Sequence, residues 1–158
     1  RATELDAGWV LKTNRPAAVA NSFHSSEGVD GLRAFFSSSL LPDGLWQVSV
    51  TWVASGTRST AAEHNVLHVG ANGQVAKATV NVNQVLQPPV GYLSLGQYTL
   101  LNGRADLGLE ILSDSIGKVI IDAVKFTCVG APILPTATLS PTSASPTTAS
   151  PTSASPTS

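Results

Sequence analysis

Three histidines, ten acidic residues, one cysteine and a serine flanked by glycines are the groups of this chain that could do chemistry. His64 and His68 stand four apart, a spacing that holds zinc when both lie on one helix face. Their segment reads as a strand, where positions i and i+4 share a face but lie about 13 Å apart. One metal cannot bridge that distance, and His24 is isolated in a Ser-rich loop. All three are therefore read as satisfied polar positions, and no metal site is expected from them. Ser94, in Gly91-Tyr92-Leu93-Ser94-Leu95-Gly96, is one residue off the Gly-x-Ser-x-Gly elbow and lacks its strand-to-helix setting. Glycoside hydrolysis needs two carboxylates across a cleft, and the acids here are scattered over turns and strand ends with no pair standing out. The chain is expected not to be an enzyme. Asp122 lies inside an apolar strand, a costly place unless its carboxylate is bonded, and is expected to hold loop amides or a cation. Asp6, Asp30 and Asp122 leave a structural calcium open, although nothing in their spacing resembles a calcium loop. Cys128 follows Phe126 at the end of an apolar strand and reads as a buried thiol, with an intermolecular bridge as the alternative.

The elements that carry these residues read as strands, with Gly, Pro, Asn and Asp punctuating the chain at strand-length intervals. Leu32 to Ser38 is a short apolar run. After the Leu41-Pro42-Asp43-Gly44 turn, Trp46, Val48, Val50 and Trp52 alternate with Gln47, Ser49 and Thr51, the period of a half-buried strand. Asn65 to Val69 leads through Gly70-Ala71-Asn72-Gly73 into Val75 to Val82. Tyr92 to Leu101, Leu107 to Leu112 and Val119 to Phe126 bring the total to about eight strands. No convincing amphipathic helix is present. An all-β domain of two packed antiparallel sheets buries such strands most economically.

Charge is sparse and nearly balanced, at a formal net value of −1. No basic run points to nucleic acid or an anionic membrane. No apolar stretch approaches the roughly 20 residues of a spanning helix. The chain starts at Arg1 and contains no Met, as expected of a processed product or a fragment and compatible with signal-peptide removal. No Asn-x-Ser/Thr sequon occurs, so any glycan would be O-linked.

Six short motifs occur in order across residues 4 to 127: Asp6-Ala7-Gly8-Trp9, Gly44-Leu45-Trp46-Gln47-Val48, Asn65-Val66-Leu67-His68-Val69-Gly70, Val82-Asn83-Gln84, Leu95-Gly96-Gln97-Tyr98, and Ile121-Asp122-Ala123-Val124-Lys125-Phe126. Together they resemble the golvesin-type domain, also found at the C-terminus of xanthan-lyase-like proteins. The resemblance implies a jelly-roll-like antiparallel β-sandwich, similar to carbohydrate-binding modules, non-catalytic and appended to secreted or surface proteins. The stretch from Lys12 to Gly31 departs from the family pattern in lacking a Tyr-rich segment. Such modules hold pyranose rings on aromatic faces. Trp46 and Trp52 share the apolar face of their strand and read as core, which leaves Trp9 and Tyr92 as stacking candidates. Asn83 and Gln84 are candidates for polar contacts.

Residues 1–130 thus read as the sandwich domain and residues 131–158 as a Pro/Thr/Ser/Ala-rich tail. From Pro141 the tail is a five-residue repeat, Pro-Thr-Ser/Thr-Ala-Ser, with prolines at 141, 146, 151 and 156. It has too little apolar surface to offset the entropy of ordering. As polyproline II, the 24 residues from Pro135 would span roughly 75 Å. The composition is that of O-glycosylated stalks. The candidate acceptors are Thr136, Thr138, Ser140, Thr142, Ser143, Ser145, Thr147, Thr148, Ser150, Thr152, Ser153, Ser155, Thr157 and Ser158. Two readings follow, both extracellular or at the cell surface. In the first, head and sugared tail are a building block of a filament, coat or matrix, self-associating through heads packed along neighbouring tails. In the alternative, the head binds polysaccharide and the tail links it to a catalytic domain.

Overall fold

The computed structural model describes residues 4–88 and 91–134. The strands are β1 (Glu4–Leu5), β2 (Val10–Lys12), β3 (Phe23–Ser25), β4 (Arg33–Ser37), β5 (Gly44–Thr51), β6 (Ala62–Val69), β7 (Val75–Val82), β8 (Leu93–Leu100), β9 (Gly108–Leu112), β10 (Ile120–Ile121) and β11 (Ala123–Gly130). A 3-10 turn covers Val19–Asn21. A five-stranded sheet in the order β1-β4-β9-β6-β7 packs against a three-stranded sheet, β11-β5-β8, and a small sheet, β10-β3-β2, flanks them. All ladders are antiparallel, so the fold is the expected β-sandwich. The Pro/Thr/Ser repeat and its candidate acceptors, Thr136 to Ser158, lie outside the described residues.

The alternation read in β5 does bury one face: Val48, Val50 and Trp52 enter the main core, and Trp46 joins a smaller cluster with Val69, Leu100 and Leu107. Ser49 and Thr51 are buried as well, because β5 is the middle strand of its sheet. Gly70 to Gly73 does turn β6 into β7, closed by Gly70 N–H to Gln74 O at 2.8 Å. On the outer face of the five-stranded sheet a polar row crosses every strand. Arg33 of β4 pairs with Glu4 of β1 and Glu110 of β9, each at 2.6 Å. Its guanidinium covers the Phe35 ring at 4.9 Å. Asn65 of β6, fully buried, donates to Glu110 at 3.1 Å and to Glu63 at 2.7 Å, and accepts from Thr79 of β7 at 2.7 Å.

Two sequence expectations are corrected. Val119 to Phe126 is not one strand: the chain changes sheets at Asp122, β10 pairing with β3 and β11 with β5. Asp122 Oδ1 accepts the Val19 N–H at 2.9 Å, so the carboxylate in the apolar stretch is explained by a loop amide, as one of its two expected roles required. Cys128 is exposed rather than buried. It faces the same way as Phe126, but β11 runs on past the core, and its last four residues are all exposed.

Candidate functional site

Two clefts among the described residues open beside the small sheet. Pairing sets Lys12 opposite Phe23 and Val10 opposite Ser25, so these side chains share one face, while Leu11, His24 and Ile121 share the other. A cleft of about 350 Å³ opens on the first side and one of about 450 Å³ on the second. Phe23 borders both.

The first cleft is basic. Lys12 comes from β2, Arg15 from the loop after it, and Arg58 and Lys118 from two segments joined by a parallel bridge. Ser59 N–H to Lys118 O and Lys118 N–H to Thr57 O, both 3.1 Å, lock that bridge. Gly117 permits the approach, since a Cβ there would stand 2.6 Å from the Arg58 carbonyl carbon and oxygen. Against four cations stands one carboxylate. Glu27 accepts Lys12 Nζ at 3.0 Å and Lys118 Nζ at 2.8 Å. Those bonds, Lys118 first, hold its carboxyl down at about 2. Glu27 is also a non-glycine residue in the left-handed region, at φ 52. Asn14, Ala20 and Asn21 share that conformation; among the described residues every such position falls in the loops about β2 and β3. Asparagine adopts this region readily, but at Ala20 and Glu27 it is strained, and such strain persists only where the surroundings fix it, often at functional sites.

The second cleft is mostly apolar, lined by Leu5, Leu11, Val19, Phe36, Ile121 and Val124 among others, with His24 and Asp122 as its titratable groups. Burial lowers the His24 pKa and raises that of Asp122, the latter opposed by the Val19 N–H. His24 lies on β3, not in a loop, and its Nδ1 is buried without a partner among the described residues. His64 and His68 lie on β6 and each bonds a backbone carbonyl, of Ala62 and Val69.

The four candidate sugar contacts are not brought together, and none lines either cleft. Trp9 is buried, its indole donating to Arg33 O at 3.1 Å. Gln84 is also buried: its amide donates to Ile120 O at 2.9 Å and accepts Ile120 N–H at 2.7 Å. That pair of bonds imitates a strand edge, so Gln84 completes β10 instead of reaching outward. Tyr92 is half-buried with Lys125 Nζ 5.7 Å from its ring centre, and Asn83 is exposed and caps Val85 N–H at 3.0 Å. Among the calcium candidates, Asp6 accepts Arg33 N–H at 2.6 Å, and the described residues hold no cluster of three His, Cys, Asp or Glu side chains suited to a metal. Sequence reading missed the basic cleft because its cations are spread from position 12 to position 118, with no local run to signal them.

A family model of the golvesin C-terminal domain matches residues 1–128. The chain belongs to this family. A Paenibacillus xanthan lyase, solved to 2.6 Å, is similar at 25% identity and a TM-score of 0.66, over 82% of this chain and 13% of that one. The module Xyl-CBM35, solved in complex with a glucuronic acid containing disaccharide, shares the fold at a TM-score of 0.55 and 14% identity, over 82% of this chain and 87% of that one. No curated protein sequence matches the chain. The golvesin-type motifs hold the fold together. Asp6 and Trp9 clamp the Arg33 backbone, Trp46 donates to Pro42 O, Asn65 centres the polar row, Gln84 completes β10 and Asp122 marks the sheet change. The basic cleft of this golvesin domain is lined wholly by residues outside those motifs.

Proposed function

We propose that this golvesin domain is a non-catalytic polysaccharide-binding module of a secreted or surface protein, with its binding surface at the small sheet. The observation that carries the reading is the coincidence of fold and relief. A module of the same fold is known with a sugar acid bound, and two clefts lie side by side at one small sheet of this chain with the positive-φ loops around them. The similar lyase domain makes up a small part of a chain named for a polysaccharide, which suits an accessory role. The test is affinity electrophoresis of the full chain through gels containing neutral and acidic polysaccharides. Retardation in at least one gel is expected; equal mobility in all of them would overturn the reading.

The tail keeps the structural reading as a second proposal, because the Pro-Thr-Ser/Thr-Ala-Ser repeat is unlike a bare flexible linker. On this reading Thr136 to Ser158 carry O-glycans and hold heads apart in a coat or filament. Intact mass spectrometry and electron microscopy of natively produced protein test it. Hexose-spaced masses on the tail and regular fibres are expected, and an unmodified, dispersed chain would remove it. Fold and relatives favour the binding module over this structural role.

A further inference from the structure

Of the four described arginines, Arg33 and Arg104 form carboxylate ion pairs. The two that form none among the described residues, Arg15 and Arg58, line the same cleft. Arg58 lies with its guanidinium 5.5 Å from the Phe23 ring centre, and its one hydrogen bond among the described residues runs from Nε to Val53 O at 3.3 Å. Both terminal nitrogens are thereby left without an acceptor among the described residues. Burial lowers the Arg58 pKa, Glu27 raises it and the charge of Arg15 lowers it, so the two guanidiniums feel each other. A desolvated guanidinium beside a second cation is unfavourable unless an anion joins them. Glu27 offsets part of that cost through its field, but its ion pairs are with the two lysines and it forms none with either arginine.

We propose that the basic cleft is a carboxylate-recognition site that takes a uronate residue of an acidic polysaccharide, the sugar carboxylate lying between the guanidiniums of Arg15 and Arg58. The proposal rests on the polysaccharide-binding reading and names its substrate class. A guanidinium presents two parallel N–H donors that match the two oxygens of a carboxylate. The cleft volume of about 350 Å³ lies at the low end of the range for small-molecule sites, roughly 300–1,000 Å³. Glu27 has a second consequence. Fixed between Lys12 and Lys118, its carboxylate sets one negative charge against the incoming one, so it sharpens selection at some expense in affinity.

The test is calorimetry of the full chain with trigalacturonate, its carboxyl-reduced counterpart and a sulfated dextran. Binding of trigalacturonate is expected to weaken with salt and to fall about tenfold in Arg15→Gln, the loss expected of one charge-assisted contact. Arg15 is exposed, so that variant keeps its fold; Arg58→Gln, checked by circular dichroism, is expected to lose more. Glu27→Gln is expected to bind more tightly. Equal binding of the reduced trisaccharide overturns the carboxylate site while leaving the polysaccharide reading intact. Equal, Arg15-dependent binding of sulfated dextran reduces the cleft to a general polyanion surface and also overturns it. If none of the three binds, the carboxylate site falls, and the polysaccharide reading is then decided by the neutral-polysaccharide gels alone.

Discussion

Two clusters of charge sit on this domain, and they are built on opposite principles. In the row across the five-stranded sheet, Glu4, Arg33, Glu110, Asn65 and Thr79 satisfy one another, and Asn65 also serves Glu63. In the cleft beside the small sheet, four cations face one carboxylate, and two arginines are left without an anion among the described residues. Buried polar groups that close on each other hold a fold; a surplus of one sign held at a concave surface recruits a ligand. The comparison teaches that charge alone does not mark a site. Its balance does.

The sharpest way to break the row is Asn65→Ala. The change removes three hydrogen bonds, two of them to carboxylates, at a fully buried position. A loss of about 4 kcal/mol is expected, read by chemical denaturation. A loss under a third of that would mean the row is decoration.

Acid separates the interior from the cleft. Burial holds the His64 pKa down at about 4 from 6.5, opposed only by its bond to Ala62 O. The unfolded chain therefore takes up this proton first, and stability falls as pH drops from 6.5 towards 4, by roughly 3 kcal/mol. In His64→Gln most of this slope is expected to vanish from melting curves taken across that window, the remainder belonging to His24, whose pKa burial also lowers. Glu27 acts lower. Its carboxyl is depressed from 4.5 to about 2, so its pairing contributes fully above 4.5 and is lost as pH falls towards 2. Glu27→Gln is expected to flatten only that lower limb, and a change confined to the upper limb would refute the assignment. The smallest effect belongs to Arg104 and Asp106, joined at 2.7 Å on the exposed surface. Arg104→Ala is expected to leave the melting temperature unchanged, since such pairs contribute little. A clear drop would contradict the view that only enclosed charge matters here.

Much of the architecture is legible in the chain. A strand's side chains alternate between faces, so Trp46, Val48, Val50 and Trp52 announce β5 locally, and the Gly70–Gly73 turn announces the hairpin beside it. The short strands β1, β2 and β3 escape such reading, being two or three residues long, too brief for a period to show. Asp6, Trp9, Asn65, Gln84 and Asp122, all in the motifs that carry the family resemblance, each hydrogen-bond a backbone or side-chain partner that is distant in sequence.

The family resemblance also supplied the sugar-contact candidates, Trp9, Tyr92, Asn83 and Gln84, none of which lines either cleft. Trp9 and Gln84 have the right chemistry for sugar, yet their polar atoms are spent on Arg33 and Ile120. What the sequence determined by itself was the β-sandwich, its family and the unusual composition of the tail, all properties of neighbours along the chain. Only the tertiary structure decided where the clefts lie. It did so by bringing Lys12, Arg15, Glu27, Arg58 and Lys118 to one wall from segments about a hundred residues apart, and electrostatic balance depends on distance in space, which sequence order does not record.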